Sequence, residues 1–112
     1  MTQKIALIGD FWSAEDAAQR APFTGAAGWN LNKMLDEAGI HRADCFMSNV
    51  FNIKATDIDY FCGAKTENVI TSLSSLKAGR FIRSEFSNEL MRLNSELKEI
   101  NPNVIVPLGV TL

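Results

Sequence analysis

The chain has 112 residues, of which 46% are hydrophobic and 21% charged, and its formal net charge is −2. This is the composition of about one globular domain, and the weak negative charge excludes a broad basic surface that would attract nucleic acid by neutralising phosphates. The chain has no apolar run of the roughly 18 residues that a membrane span needs, no N-terminal signal segment, and too few cysteines, two, for a secreted disulfide scaffold. We therefore expect a cytoplasmic protein with reduced cysteines.

The first predicted element is a short strand formed by the apolar residues 5–8 (IALI). A strand that is apolar at every position is typical of a parallel sheet covered on both faces. It leads into a long loop, residues 9–28, that carries Phe11, Trp12 and Phe23. Because strand-to-helix loops are usually only about 2–6 residues long and much longer ones are often functional, this loop predicts a ligand pocket.

A helix is predicted from about Ala26, and it should end at Gly39, where a left-handed C-cap is expected. Its apolar stripe has spacings of three and four residues and comprises Ala27, Leu31, Met34, Leu35 and Ala38. Residues 45–50 (CFMSNV) predict a second buried strand, with Cys45 in the core and with Ser48 and Asn49 at its carboxyl end.

Residues 51–80 lack a regular pattern and predict an irregular excursion, with a short turn of helix near Ile58 to Cys62. A second amphipathic helix follows, with Ser84 or Ser87 as its N-cap and Pro102 as its stop. Its apolar stripe comprises Phe86, Leu90, Leu93, Leu97 and Ile100.

The third predicted strand is also expected to be buried and spans residues 104–108 (VIVPL), where Pro107 marks its end or an edge position. Strands that alternate with helices predict an α/β fold with a parallel sheet and right-handed crossovers. Ligands bind beyond the carboxyl ends of the strands in such sheets. We therefore expect residues 9–23, 49–52 and 109–111 to converge on one edge.

Several side chains at this edge suit a flat heterocyclic ligand. Phe23 could present a ring face to the ligand or fill the core under the loop, and Trp12 could stack on the ligand or pack against the helix. Asn49 could offer its amide donor and acceptor to the edge of a base, or bond a neighbouring loop. Asp10 could be a base, position a water molecule, or accept hydrogen bonds from turn amides.

Other polar residues have simpler interpretations. His41 lies in a polar connection and is interpreted as a surface residue, and Glu15 and Asp16 are interpreted as solvated charge. The chain lacks the glycine-rich motifs GxGxxG and GxxxxGK[ST], so a generic nucleotide-binding domain is the weaker hypothesis.

The order of the motifs resembles the uracil-DNA glycosylase superfamily, and most closely its branch with Gly-Glu-x-Pro-Gly, Pro-Phe-Val-Gly and Thr-Asn-Val motifs. The counterparts in this chain are residues 9–13 (GDFWS), residues 22–25 (PFTG) with Gly28, and residues 48–50 (SNV). Residues 101–111 (NPNVIVPLGVT) are similar to the family's strand and turn Pro-x-Val-Ile-Val-x-Leu-Gly-x-Thr.

The resemblance implies a three-layer α/β/α fold around a mostly parallel central sheet, and hydrolysis of the bond between uracil and deoxyribose in DNA, with the base flipped into the pocket. By position, Phe23 would stack on the uracil and Asn49 would hydrogen-bond its Watson–Crick edge. The backbone of Gly9 and Phe11, together with Asp10 as the catalytic residue, would hold the base and the attacking water. Fixed donors would stabilise the anionic leaving base.

The first motif departs from the family pattern, because Asp10 replaces its Glu, Trp12 its Pro and Ser13 its final Gly. In the branch that holds an iron–sulfur cluster, a cysteine follows the Asn motif, and this chain has Ile53 there. Thiolates are needed to hold a cluster, so we expect no cluster, no other cofactor and no metal. Cluster-less variants of this kind resemble glycosylase-like proteins of phages, including domains fused to phage DNA polymerases.

The family also has a late His-Pro loop for which this chain has no counterpart. One hypothesis is that residues 1–112 are the N-terminal portion of a single, longer glycosylase domain that acts on uracil-containing DNA, and that they are inactive alone. The other is a non-catalytic binding or interaction protein of the same fold, such as a phage accessory factor. In a chain that stops here, the strand 104–108 and the leucine stripe would need covering, so we expect a protein partner or self-association there.

Overall fold

The computed structural model describes residues 4–73, 75 and 79–108 of the chain. Its helices and strands, in chain order, are β1 (Ile5–Gly9), α1 (Ala14–Gln19), α2 (Ala26–Glu37), β2 (Cys45–Asn49), β3 (Cys62–Gly63), β4 (Phe81–Ile82), α3 (Ser87–Ile100) and β5 (Val104–Pro107). Short 3-10 turns lie at Arg42–Asp44, Ile58–Phe61 and Ser84–Phe86.

The main sheet is parallel and has β1 at its centre, in the order β2-β1-β5. Ile5 pairs with Cys45 on one side and with Val104 on the other. All three carboxyl ends therefore reach the same edge, as expected for strands joined by helical crossovers. This confirms the predicted α/β fold with a parallel sheet.

Each face of the sheet carries its own hydrophobic cluster. Successive side chains of a strand point to opposite faces, and so Ala6 and Ile8 of β1 join one cluster whereas Leu7 joins the other. Leucines of α3 pack against the first cluster, and Leu31 and Leu35 of α2 belong to the second. The result is the predicted arrangement of three layers, with the sheet between the helices.

The bounds of α2 agree with the predicted helix, and Gly39 has the left-handed φ of 72° expected beyond its C-terminus. The predicted apolar stripe is only partly correct. Leu31 and Leu35 are buried, but Met34 and Ala38 are exposed, because Phe23 and Ile40, which lie outside the helix, also pack against the second cluster. The side chain of Ala27 lies outside the description.

The predicted N-caps of α3 are wrong. The helix begins at Ser87, and its N-cap is Phe86, whose side chain makes no capping hydrogen bond. A 3-10 turn that includes Ser84 precedes the helix and places Phe86 in the core. The last residues agree with the prediction, since Asn101 ends the helix with a left-handed φ of 50°.

The irregular excursion contributes an aromatic core that the sequence pattern did not reveal. Phe51 and Phe61 are stacked with their ring centroids 4.0 Å apart, and the ring of Phe86 meets that of Phe61 edge-on at 4.9 Å. The helical turn predicted near Ile58 is present as a 3-10 turn. It leads into β3, which pairs in antiparallel fashion with β4.

The expectation that the strand at residues 104–108 is buried is wrong, because β5 lies at the edge of the sheet and exposes apolar surface. Val104 and Ile105 of β5 each expose 52% of their surface, whereas Leu90, Leu93 and Leu97 of α3 are half-buried against the first cluster. The covering that we expected for the leucine stripe is thus supplied largely by the chain itself. Among the described residues, no helix is long and apolar enough to cross a membrane.

Candidate functional site

A cleft of about 510 Å³ lies at the carboxyl ends of the parallel strands. Its lining residues are Gly9, Asp10, Phe11, Ser13, Glu15, Asp16, Phe23, Gly25, Asn49, Ala55, Thr56 and Leu108. The five residues named as site candidates from the sequence, at positions 9, 10, 11, 23 and 49, all line this cleft. Residues 109–111, expected at the same edge, lie outside the described residues.

Gly9, Phe23 and Asn49 meet at the inner end of the cleft. A Cβ atom added to Gly9 would lie only 3.0 Å and 3.1 Å from two ring carbons of Phe23, and it would overlap with the Oδ1 atom of Asn49. No side chain larger than hydrogen fits there without moving its neighbours. The glycine therefore allows the ring and the amide to approach the end of β1 closely.

Asn49 is the last residue of β2 and is only 2% exposed. Its Nδ2 group is buried and has no hydrogen-bond partner among the described residues. A buried amide donor without a partner costs on the order of 1–3 kcal/mol. An unpaired donor in the wall of a cleft is thus a place where a ligand acceptor would be bound favourably.

The backbone of Phe23 has a left-handed φ of 56°, a conformation that is uncommon for a bulky residue. Two features outside the residue hold it there. Its carbonyl oxygen accepts a hydrogen bond from Nη2 of Arg42 at 3.3 Å, and that oxygen occupies the space that a Cβ on Gly28 would need. The ring is thereby aimed back toward Gly9 while it packs on the second cluster.

Asp16 anchors the loop that carries Phe23. The interpretation of Asp16 as solvated charge is therefore wrong. The residue is 7% exposed, and its Oδ1 atom accepts hydrogen bonds from the backbone N–H and the hydroxyl of Thr24, both at 2.8 Å. Ser13 and Asp16 also form a reciprocal capping box at the start of α1. The signal was present in the sequence, because a serine followed three residues later by an acidic residue is typical of a helix start.

The carboxylate of Asp16 experiences two opposed effects. Burial favours its neutral form and acts to raise its pKa, while hydrogen bonds from Thr24 and Ser13 favour the charged form. The hydrogen bonds prevail, so the pKa of Asp16 lies below its ordinary value of 3.8. Asp16 is therefore a charged structural anchor at neutral pH.

Asp10, Phe11 and Trp12 continue from β1 along the rim of the cleft. The carbonyl oxygen of Asp10 accepts a hydrogen bond from the N–H of Phe51 at 2.9 Å. The ring of Phe11 lies 5.7 Å from that of Phe61 and packs against the first cluster, and the residue also lines the cleft. Trp12 is half-buried, bonds through its backbone to residues 53 and 55, and does not line the cleft.

His41 is exposed and does not line the cleft, in agreement with its interpretation as a surface residue. The described residues contain no group of three or more His, Cys, Asp or Glu side chains that could hold a metal ion. Cys45 and Cys62 are buried in separate core clusters. Burial raises the pKa of the Cys45 thiol, and the negative charge of the neighbouring Asp44 raises it further. Iron–sulfur clusters are held by several cysteine thiolates around one centre, and Cys45 and Cys62 do not meet at one place.

Comparison with known proteins agrees with the architecture. The sequence model of the uracil DNA glycosylase superfamily matches residues 2–112. The type-4 uracil-DNA glycosylase of Thermotoga maritima is 29% identical over 108 residues, which are 96% of this chain and 46% of that protein. The chain thus spans about half the length of this curated relative. With its parallel sheet and its cleft at the strand ends, it belongs to the uracil-DNA glycosylase superfamily.

Proposed function

We propose that the protein removes uracil from DNA by hydrolysing the bond between the base and deoxyribose. The observation that carries this proposal is the buried Nδ2 group of Asn49, which has no hydrogen-bond partner among the described residues and lies in the cleft wall with the ring of Phe23. The relative from Thermotoga maritima is named a uracil-DNA glycosylase, which supports the same activity. We also propose a cytoplasmic location, where genomic DNA of a prokaryote or a phage is accessible.

Recognition would use one ring face and one amide. The Watson–Crick edge of uracil carries an acceptor at O4 next to a donor at N3, and the side chain of Asn49 has a donor next to an acceptor. The Nδ2 group would donate to O4, and Oδ1 would accept from N3–H. The ring of Phe23 would cover one face of the base, since bases flipped out of the stack are commonly held against aromatic side chains.

Hydrolysis would begin with a water molecule near Asp10. Its oxygen forms a bond to C1′ of the sugar while the bond from C1′ to N1 of uracil breaks and its electron pair leaves with the base. One proton of the water stays on the new sugar hydroxyl, and the carboxylate of Asp10 accepts the other before passing it to the uracil anion. Backbone N–H groups of residues 9–11 and the amide of Asn49 would stabilise the developing negative charge.

The chain would supply the uracil-binding portion of a longer enzyme. It spans less than half of the relative from Thermotoga maritima, and the family's late histidine loop has no counterpart among residues 1–112. We therefore propose that residues 1–112 form the N-terminal portion of one glycosylase domain and that the remaining catalytic groups lie elsewhere in the full-length product.

The test is uracil release by the full-length gene product. An oligonucleotide with a single uracil is incubated with the protein and treated with alkali, so that each abasic site becomes a strand break visible on a gel. We expect cleavage at the uracil position only. No abasic site in the uracil oligonucleotide would refute the enzyme and favour a non-catalytic interaction protein with the same fold.

Asn49→Asp tests the recognition residue. The carboxylate lacks the donor for O4 and would repel it, so we expect uracil release to fall by at least about 100-fold or the preferred base to change. Asn30→Asp is the matched control, because Asn30 is exposed on α2 and does not line the cleft. Equal rates for Asn49→Asp and Asn30→Asp would show that Asn49 is only structural.

A further inference from the structure

Arg92 of α3 holds the end of β2 from the side opposite β1. Its Nη2 atom donates hydrogen bonds to two successive carbonyl oxygens, that of Asn49 at 2.7 Å and that of Val50 at 3.0 Å. The side chain is 24% exposed, so most of it is withdrawn from water. Arg92 does not line the cleft, and it acts on the residue that does.

The same two peptide units are bonded on their other side to the first loop. The N–H of Val50 donates to the carbonyl of Gly9, and the N–H of Phe51 donates to the carbonyl of Asp10, each at 2.9 Å. In a planar trans peptide the N–H and the C=O point in opposite directions. The two carbonyls therefore face away from β1, toward Arg92, and each peptide plane is fixed from both sides.

The guanidinium is in turn held by side chains around it. Nη1 donates to the hydroxyl of Ser48 at 3.0 Å and to Oε1 of Glu96 at 2.6 Å, and Nε lies 3.5 Å from a carboxylate oxygen of Glu89. The other oxygen of Glu89 accepts a hydrogen bond from the N–H of Asn52 at 2.6 Å. Four residues at the end of β2 are thus anchored to one helix through Arg92 and its partners: Ser48, Asn49, Val50 and Asn52.

We propose that Arg92 is a positioning residue that sets the orientation of the Asn49 amide in the cleft. The peptide after Asn49 is held by Arg92 and Gly9, and the peptide before it lies in the β1–β2 ladder, so the Cα–Cβ direction of Asn49 is fixed. The buried Nδ2 group is then presented with no hydrogen-bond partner among the described residues. Only a planar guanidinium offers enough donors, in a rigid fork, to bond two carbonyls, a hydroxyl and a carboxylate together. This inference rests on the proposed uracil-binding role of Asn49.

The test compares Arg92→Lys with Arg83→Lys in the full-length protein. Arg83 is the matched control, because it is 32% exposed and its side chain pairs with Glu67 at 3.2 Å, away from the cleft. We expect Arg92→Lys to lower kcat/KM for uracil release about 10- to 100-fold, since small misplacements of a positioning group can cost this much. We also expect discrimination between uracil and cytosine to weaken, which a general loss of stability would not cause.

A second readout does not depend on activity. In ¹⁵N-labelled protein, the side-chain amide resonances of Asn49 should shift and the backbone amides of Val50 and Phe51 should exchange faster in Arg92→Lys, with no such change in Arg83→Lys. If the wild-type protein releases no uracil, the proposed function fails while this readout still tests the positioning role. Unchanged Asn49 resonances and unchanged selectivity in a folded Arg92→Lys protein would overturn the inference.

Glu96→Gln covers the case in which Arg92→Lys does not fold. This variant keeps Arg92 and its bonds to the two carbonyls. It replaces the carboxylate that orients Nη1 with a neutral amide, so the hydrogen bond to Nη1 is weaker. We expect a smaller change in the same direction, both in base selectivity and in the Asn49 resonances. Wild-type values for both in Glu96→Gln, together with an unfolded Arg92→Lys, would assign Arg92 a role in stability alone and refute the proposal.

Discussion

Gly9→Ala is the sharpest test of the way in which the cleft is built. The substitution adds a single methyl group at the point where the end of β1 meets the Phe23 ring and the Asn49 amide. It leaves the charge of the protein and every polar group unchanged. Any effect on ligand binding must therefore come from displacement of these two neighbours.

The expected displacement follows from the distances. The new carbon would lie 3.0 Å and 3.1 Å from two ring carbons of Phe23, whereas carbon atoms in good contact are about 3.5–4.0 Å apart, so the ring must retreat by about 0.5–1 Å. The Oδ1 atom of Asn49 overlaps with the methyl group and must move as well. Overpacking of this kind costs about 1–3 kcal/mol of stability, and a misplacement of about 1 Å can cost 100-fold in rate.

The assay measures uracil release and thermal unfolding side by side. Gly39→Ala is the control, because Gly39 does not line the cleft and no described atom lies within 4 Å of a methyl group there. Its left-handed φ of 72° makes alanine cost about 1–2 kcal/mol. We expect the two variants to be similarly destabilised while only Gly9→Ala loses activity. Equal activity in both variants would refute the proposed contact between Gly9, Phe23 and Asn49.

Two further predictions concern stability. Asp16→Asn should lower the free energy of unfolding by about 1–2 kcal/mol at neutral pH, because charge-assisted hydrogen bonds to Thr24 and Ser13 are weakened. The pKa of Asp16 is lowered in the folded protein. The stability that the carboxylate contributes is therefore complete above about pH 4 and is lost as the pH falls through the folded pKa. Denaturant unfolding of both proteins should show the difference shrinking in acid, and a difference constant from pH 7 to pH 3 would contradict this. Phe61→Ala should lower the free energy of unfolding by about 3–5 kcal/mol, because Phe61 is fully buried against Phe51. A decrease below about 1 kcal/mol in the same measurement would show that the stacked pair is not a centre of the core.

The elements of the main sheet were predictable because each has a strong local pattern. The apolar runs at residues 5–8 and 45–50 correspond to β1 and β2, and both long helices have apolar residues at helical spacing. The antiparallel pair of β3 and β4 was not predictable, because each strand has only two residues and they join across a stretch without period. Their pairing depends on tertiary contacts with the aromatic core, which no local pattern encodes.

The candidate residues at strand ends could be predicted from topology, because carboxyl ends of parallel strands meet at one edge. What the sequence did not reveal is how these residues are held. Asp16, Arg42 and Arg92 each bond backbone atoms that are distant in the chain, at Thr24, Phe23 and Asn49 respectively. Charged residues on predicted helices and turns are usually solvated, so only the folded structure distinguishes these anchors from surface charge.

The central place of β1 has a consequence for how the protein reaches its folded state. β1 is synthesised before both of its partners, since β2 follows only after α2 and β5 comes after nearly all the other described residues. Contacts between residues so far apart in the chain slow folding, because closing long loops costs entropy before any contact forms. During translation, the edge of β1 that later pairs with β5 therefore stays unpaired until β5 emerges from the ribosome.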